Sequence, residues 1–371
     1  MAAGEGRGDE AEIDPRAPRR NPDLFGHAVA EAGLLHAVTS GRLPHAIILG
    51  GPRGIGKATL AFRFARWLLS GGAEDAGPSL FGDVTAPTDL KVDPQHPVAR
   101  RISAGGHADL LTVERGYDPK RKKMRGEIVV DDVREVSNFL RLTSAEGGWR
   151  VVIIDSADEM NRNAANALLK VLEEPPKGAL LLLVCHAPGR LLPTIRSRCR
   201  KVNLLPLAAD EVVRLLLDHR PELSAEDALI LARMADGSIG RALELADAEG
   251  LVLYREMVGL LDSLPRLDGV RLHRLADAVA RGEAEDLYRT LTDLLVDFLA
   301  RMVAGSAEGA SREVMPGEGA LMRRLGGLGR LDQWVEVWEN LRALFGRADA
   351  VNLDRKQVVL DAFFTLGAAA R

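Results

Sequence analysis

Gly51 through Lys57 reads G-P-R-G-I-G-K, which satisfies the phosphate-loop pattern G-x-x-x-x-G-K-[ST] up to Lys57 and breaks it at Ala58. In such a loop, backbone N–H groups wrap the phosphates and the following helix N-terminus adds partial positive charge. Gly51, Gly54 and Gly56 let the backbone come close without a Cβ in the way, and Lys57 reaches the β- and γ-phosphates. The hydroxyl that Ala58 replaces normally ligates Mg²⁺. Thr59 lies about 100° further round the helix and is a poor substitute. The pattern predicts a degenerate nucleotide site: ATP held weakly or without hydrolysis, with Mg²⁺ only alongside the nucleotide.

Two further stretches end apolar runs with polar residues. In "VVIIDSADEMN", Asp155 sits at the strand tip, where a Mg²⁺-directing carboxylate belongs. The adjoining place, where a hydrolysing enzyme of this type has a water-polarising glutamate, is Ser156. Asp158 and Glu159 come after the strand has turned away, and read as acidic residues at a helix N-terminus. In "CHAPGRLLPTIRSRC", Cys185 and His186 stand where ATP-hydrolysing sites often place a Thr or Asn. Arg198, in "IRSRC", reads either as a solvated surface charge or as an arginine finger reaching a neighbouring subunit's phosphates.

The elements that must position these residues follow from the apolar pattern. "HAIIL", "WRVVIID" and "ALLLLVC" are short and continuously apolar, as expected of strands buried on both faces of a parallel sheet. "KATLAFRFARWLL" and "NRNAANALLKVLEEPP" have helical spacing, and Pro175 closes the second. Alternating strand and helix predicts a doubly wound α/β domain. After "VNLLPL" the strand signals stop and nearly every segment has helical spacing. The expected organisation is a flexible tail over 1–21, a P-loop α/β domain over 22–206, a small helical lid over 207–247 and an all-α domain over 248–371. Within the last, the Gly/Ser-rich stretch 304–320 reads as a mobile loop.

Composition sets the bounds. The 371 residues favour two or three domains, and 46% hydrophobic with 27% charged residues describes a globular chain. Cys185 and Cys199 are the only cysteines, so no disulfide framework and no four-cysteine zinc site forms; no zinc is expected. With no apolar leader and a longest apolar run too short to span a bilayer, the chain reads as cytoplasmic. The net charge of −4 gives no overall drive towards nucleic acid. The basic stretch Asp118–Glu127, lying between the strand-like "DLLTVE" and "EIVVDD", reads as a solvated hairpin loop; phosphate contact is the alternative. Without interleaved aromatics, base stacking is not expected there.

Taken in order, "RLPHAIILGGPRGIGK", "ANALLKVLEEPP", "IRSRC" and "DGSIGRAL" resemble the AAA+ clamp-loader subunits of bacterial DNA polymerase III, over about residues 22–247. His96–Glu114 is similar to a segment that carries a small zinc module in that family, without its cysteines. The resemblance implies a place in a hetero-pentameric ring with subunits of gamma/tau and delta type, which loads the sliding clamp on primed DNA. It implies a helical C-terminal collar, Arg198 acting in trans on a neighbour's ATP site, and Arg241 as a second sensor contacting nucleotide from the lid. Two roles fit: a non-motor stator with absent or very weak ATPase of its own, or an ATP-hydrolysing motor of gamma/tau type. Ala58, Ser156, Cys185 and His186 favour the first. No polymerase-like set of metal-binding carboxylates is present in the chain.

Overall fold

Runs without a polar side chain can pair on both edges and pack on both faces, and three of them form the centre of the sheet. The computed structural model describes residues 16–75, 87–118, 123–146, 148–281, 285–309 and 312–371. It divides into two compact units meeting in sequence at 208/209. In the first unit, β1 (Ala46–Gly50), β5 (Arg150–Ile154) and β6 (Ala179–Cys185) are buried at every position. β2 (Leu110–Val113) and β7 (Arg200–Asn203) complete a parallel sheet of order β2-β5-β6-β1-β7. Of the two edge strands, β7 exposes Arg200, Lys201 and Asn203.

Alternate residues of the central strands supply two cores. Ile48, Val152, Ile154, Leu181 and Leu183 pack with α5 (Val130–Arg141) and α6 (Arg162–Glu173). Ile47, Leu49, Val151, Leu180 and Leu182 pack with α1 (Ala28–Thr39), α2 (Lys57–Leu69) and α4 (Pro97–Ser103). The α/β fold expected from the alternation is thus observed. Short helices α3 (Gly72–Asp75) and α7 (Pro193–Arg196) and a hairpin of β3 (Tyr117–Asp118) with β4 (Lys123–Met124) complete the unit. Lys120, Arg121 and Lys122 of the basic stretch lie outside the described residues.

Two local expectations are corrected. "EIVVDD" is not a strand: it leads directly into α5, where Asp132 accepts from the Val129 N–H (2.9 Å) and caps the helix. Val133, Val136 and Leu140 follow at helical spacing and are buried, so the 3.6-residue period prevails over the β-branched run. The described part of the N-terminal stretch is tied down. Arg63 and Arg66, on the buried face of α2, donate to the carbonyls of Pro22 (2.7 Å) and Asn21 (2.6 Å), and Ser103 Oγ donates to that of Arg19 (3.4 Å).

The second unit is all helical: α8 (Ala209–His219), α9 (Ala225–Met234), α10 (Ile239–Asp247), α11 (Gly250–Asp262), α12 (Gly269–Ala280), α13 (Glu285–Glu308), α14 (Glu318–Gly326), α15 (Leu331–Val351) and α16 (Arg355–Ala369). The stretches expected as lid and collar both fall within it. Helix α16 packs on α12 and α15, with Phe363 and Leu366 fully buried. The Gly/Ser-rich stretch is only partly a loop. Helix α13 continues through Glu308, with the Ser306 hydroxyl donating to the Met302 carbonyl (2.8 Å) one turn back. Glu318 is buried and accepts from Val314 N (2.6 Å), Arg301 Nη1 (3.1 Å) and the Tyr254 hydroxyl, anchoring the turn before α14. Among the described residues, no helix is long and apolar enough to cross a membrane.

Glu31 is the residue on which the N-terminal clasp depends: one carboxylate oxygen accepts from Arg63 Nε (2.6 Å) and from Leu90 N (2.9 Å), with both side chains of the pair nearly buried. Glu31→Ala leaves a buried guanidinium short of its counter-charge and is expected to cost about 2–4 kcal/mol in urea unfolding of the isolated chain. A loss under about 0.5 kcal/mol would show that water replaces the carboxylate without penalty.

Candidate nucleotide site

In an open parallel sheet, ligands bind beyond the carboxyl ends of the strands. The ends of β1, β5 and β6 here carry the loop Gly51–Gly56, then Asp155 and Ser156, then His186. Gly51, Gly54 and Gly56 all have positive φ (145°, 76° and 106°), so the spacing read in the sequence corresponds to backbone that only glycine adopts readily. At Gly51 the constraint is also steric, since a Cβ would lie 2.5 Å from the Leu204 carbonyl oxygen. Leu204 N in turn donates to the Gly50 carbonyl (2.8 Å), so the chain leaving β7 lies against the loop.

Lys57 opens α2 and is almost wholly buried (2% exposed), its ammonium donating to the Pro52 carbonyl inside the loop. Burial pulls its pKa from 10.5 down to about 8, against the opposing pull of Asp155 and Asp158. Asp155 titrates above the ordinary carboxylate range, through burial first and the nearby Glu114 second. The sheet therefore gathers Gly51, Gly54, Gly56, Lys57 and Asp155. Thr59 is also on α2 and buried, whereas Ala58, only partly buried, packs beside the apolar core. The cradle and lysine fit a phosphate. The metal half does not fit as well, because Ala58 offers no oxygen.

The other strand tips show what fills the places of the hydrolytic groups. Ser156, itself at φ 64°, has its hydroxyl hydrogen-bonded to Nε2 of His186 (3.1 Å). Burial and the neighbouring Lys57 hold His186 down to about 4, so the imidazole is neutral at physiological pH. Cys185 is buried and its thiol is pushed up to about 12, chiefly by burial, which makes it an inert thiol. Asp158 and Glu159 lie in the first turn of the short 3₁₀ helix Ala157–Glu159, as acidic residues at a helix N-terminus, and Asp158 has a further task. It accepts from the backbone N–H groups of His186 (2.9 Å) and Ala187 (3.0 Å). Those bonds prevail over burial and keep its carboxyl below its usual range. Glu159 pairs with Arg115 (3.0 Å).

His27 is a site residue that the sequence reading missed: it is buried, and Nε2 lies 2.6 Å from the Ile55 carbonyl, bracing the loop from outside. Nothing in the motif announces it. Arg198 is not part of this site. It precedes β7 by two residues, at the amino ends of the strands. Arg241 belongs to the second unit, on α10, where its guanidinium lies 3.8 Å from the Asp297 carboxylate.

Comparison with known proteins identifies the family. The profile described as "DNA polymerase III, delta subunit" matches residues 27–208. The delta-prime subunit of Escherichia coli DNA polymerase III is 31% identical over 270 residues, covering 72% of this chain and 73% of that one. The chain belongs to the DNA polymerase III delta-prime family. The Pseudomonas aeruginosa delta-prime subunit is 39% identical over 191 residues, 51% of this chain. The tau subunit of Salmonella typhimurium is 29% identical over 278 residues. This chain spans about half the length of the Pseudomonas relative (52%) and 39% of the Salmonella one.

Burial of Lys57 has a measurable sign. The folded chain holds this proton less well than the unfolded chain, so the charged lysine costs stability below pH 8, and the cost fades as pH rises from 8 towards 10.5. Lys57→Met is therefore expected to raise unfolding free energy at pH 7 by about 1–3 kcal/mol, with a smaller gain at pH 10. Urea titrations at the two pH values check this, and a destabilised variant at pH 7 would contradict it.

Proposed function

We propose that this delta-prime family member is the non-motor, stator subunit of a DNA polymerase III clamp loader, with Arg198 acting in trans on a neighbouring subunit's ATP site. The supporting observation is the polarity of the sheet. Strand β7 runs parallel to β1, with Arg200 beside Ile47 and Asn203 beside Gly50, and the phosphate loop follows Gly50. Arg198 thus stands five residues upstream of Asn203, about 16 Å along a strand from the end that holds its own loop. It is partly exposed there. Its distance from its own loop supports a role at another subunit's site.

Its own site supports the same reading. Ala58 supplies no metal ligand, and the Ser156–His186 pair offers a neutral hydrogen bond where a carboxylate would polarise water. General-base and electrostatic groups each contribute roughly 10²–10³-fold, so their joint loss leaves very slow turnover. Gly51, Gly54, Gly56 and Lys57 would hold the phosphates of a weakly bound or static ATP, with Thr59, Asp155 and Arg241 as the remaining candidate contacts. When bound, such a nucleotide supplies polyphosphate charge that neutralises the buried ammonium. Assembly with gamma/tau- and delta-type subunits in a ring, and service to the sliding clamp on primed DNA, complete the proposal.

The purified chain is expected to bind a fluorescent ATP analogue weakly or not at all and to show no steady ATP hydrolysis. Steady hydrolysis abolished by Lys57→Ala would instead make it a motor of gamma/tau type. In the reconstituted complex, Arg198→Ala is expected to lower ATPase several-fold, the loss being confined to one interface, while gel filtration shows assembly intact. An unchanged ATPase would remove the trans role.

A further inference from the structure

We infer that Glu173 is the positioning residue for Arg198, fixing its guanidinium in the plane in which it meets a neighbouring subunit's phosphates; the inference rests on the trans reading of Arg198 given above. Arg198 sits on the turn after α7, its N–H donating to the Ile195 carbonyl (3.1 Å). Two acceptors from different elements hold its head group. Nη1 donates to the Thr194 carbonyl (2.9 Å), one helical turn back. Nη2 forms an ion pair with Oε1 of Glu173 (2.9 Å), the last residue of α6. A guanidinium has five N–H donors in a rigid fork. Contacted at both terminal nitrogens, it is restrained from turning about its own axis, and it still has donors left for phosphate oxygens.

Two considerations argue that this pair serves orientation more than the fold. Both side chains are substantially exposed (36% and 50%), and exposed pairs contribute little to stability. Glu173 is also in the wrong place for its own helix: a carboxylate at a helix C-terminus faces the negative end of the macrodipole, with Glu174 next to it at the cap. The contact that compensates for that placement is Arg198. A long, rotamer-rich arginine that is pre-aligned loses less freedom when it engages its target, and alignment of a charge-stabilising group is felt in the rate.

The test uses the reconstituted complex with ATP and the isolated full chain. Glu173→Ala is expected to lower kcat of the complex by about three- to tenfold, with KM for ATP little changed and melting of the isolated chain unaffected. Glu173→Gln keeps an acceptor oxygen and is expected to recover part of the rate. In an Arg198→Ala background, Glu173→Ala is expected to have no further effect, because its action runs through that guanidinium. In arginine-labelled isolated chain, the Arg198 Nη signals are expected to be resolved in the natural sequence and averaged in Glu173→Ala. Unchanged or faster ATPase in Glu173→Ala, an equal loss in the Arg198→Ala background, or identical Nη signals would each overturn the positioning role. If Arg198→Ala itself has no effect, the trans reading falls first. If only Glu173→Ala has none, that reading stands and this one fails.

Discussion

A strand with no exposed residue can offer chemistry only at its ends, and that constraint governs the first unit. β1, β5 and β6 are buried along their whole length, so their polar successors collect in one plane beyond the carboxyl edge. The parallel sense of the sheet then assigns a direction to everything else. The glycine loop Gly51–Gly56 lies beyond the carboxyl ends of the strands, and Arg198, which precedes β7, lies at the amino ends. A single domain thereby presents two different chemical faces without any additional element.

The same burial sets the electrostatics of the cradle. Lys57 is held among apolar walls and strand tips, which disfavours its charge, and Asp155 is subject to the same effect with the opposite sign. A bound polyphosphate would relieve the lysine and aggravate the carboxylate, unless a cation screened the latter. Ala58 offers no oxygen to help hold such a cation. The tips are nonetheless well ordered: Asp158 fixes two successive amides after β6, and His27 braces the loop.

Much of the α/β architecture is legible because double-sided burial writes itself as uninterrupted aliphatic runs, as in "ALLLLVC". Apolar runs mislead where β-branched residues open a helix: "EIVVDD" looks extended until Asp132 and the period of Val133, Val136 and Leu140 are weighed together. The loop after β1, Asp155 after β5 and Arg198 before β7 are legible, as positions, from local motifs. His27, Asp158 and Glu173 are not, since each acts on a group brought to it by strand order or by helix packing, far along the chain. The tail near Asn21 misleads for a related reason: its polar composition says nothing of the two arginines of α2 that donate to its carbonyls.

The charged outer strand has a consequence for the chain before it meets anything else. A sheet's last strand carries unpaired backbone groups that can recruit the same strand of another copy. On β7 that ladder is flanked by the exposed side chains of Arg200 and Lys201, whose like charges repel a second, identical edge. That edge is thus disfavoured as a place for a second copy of the chain to pair.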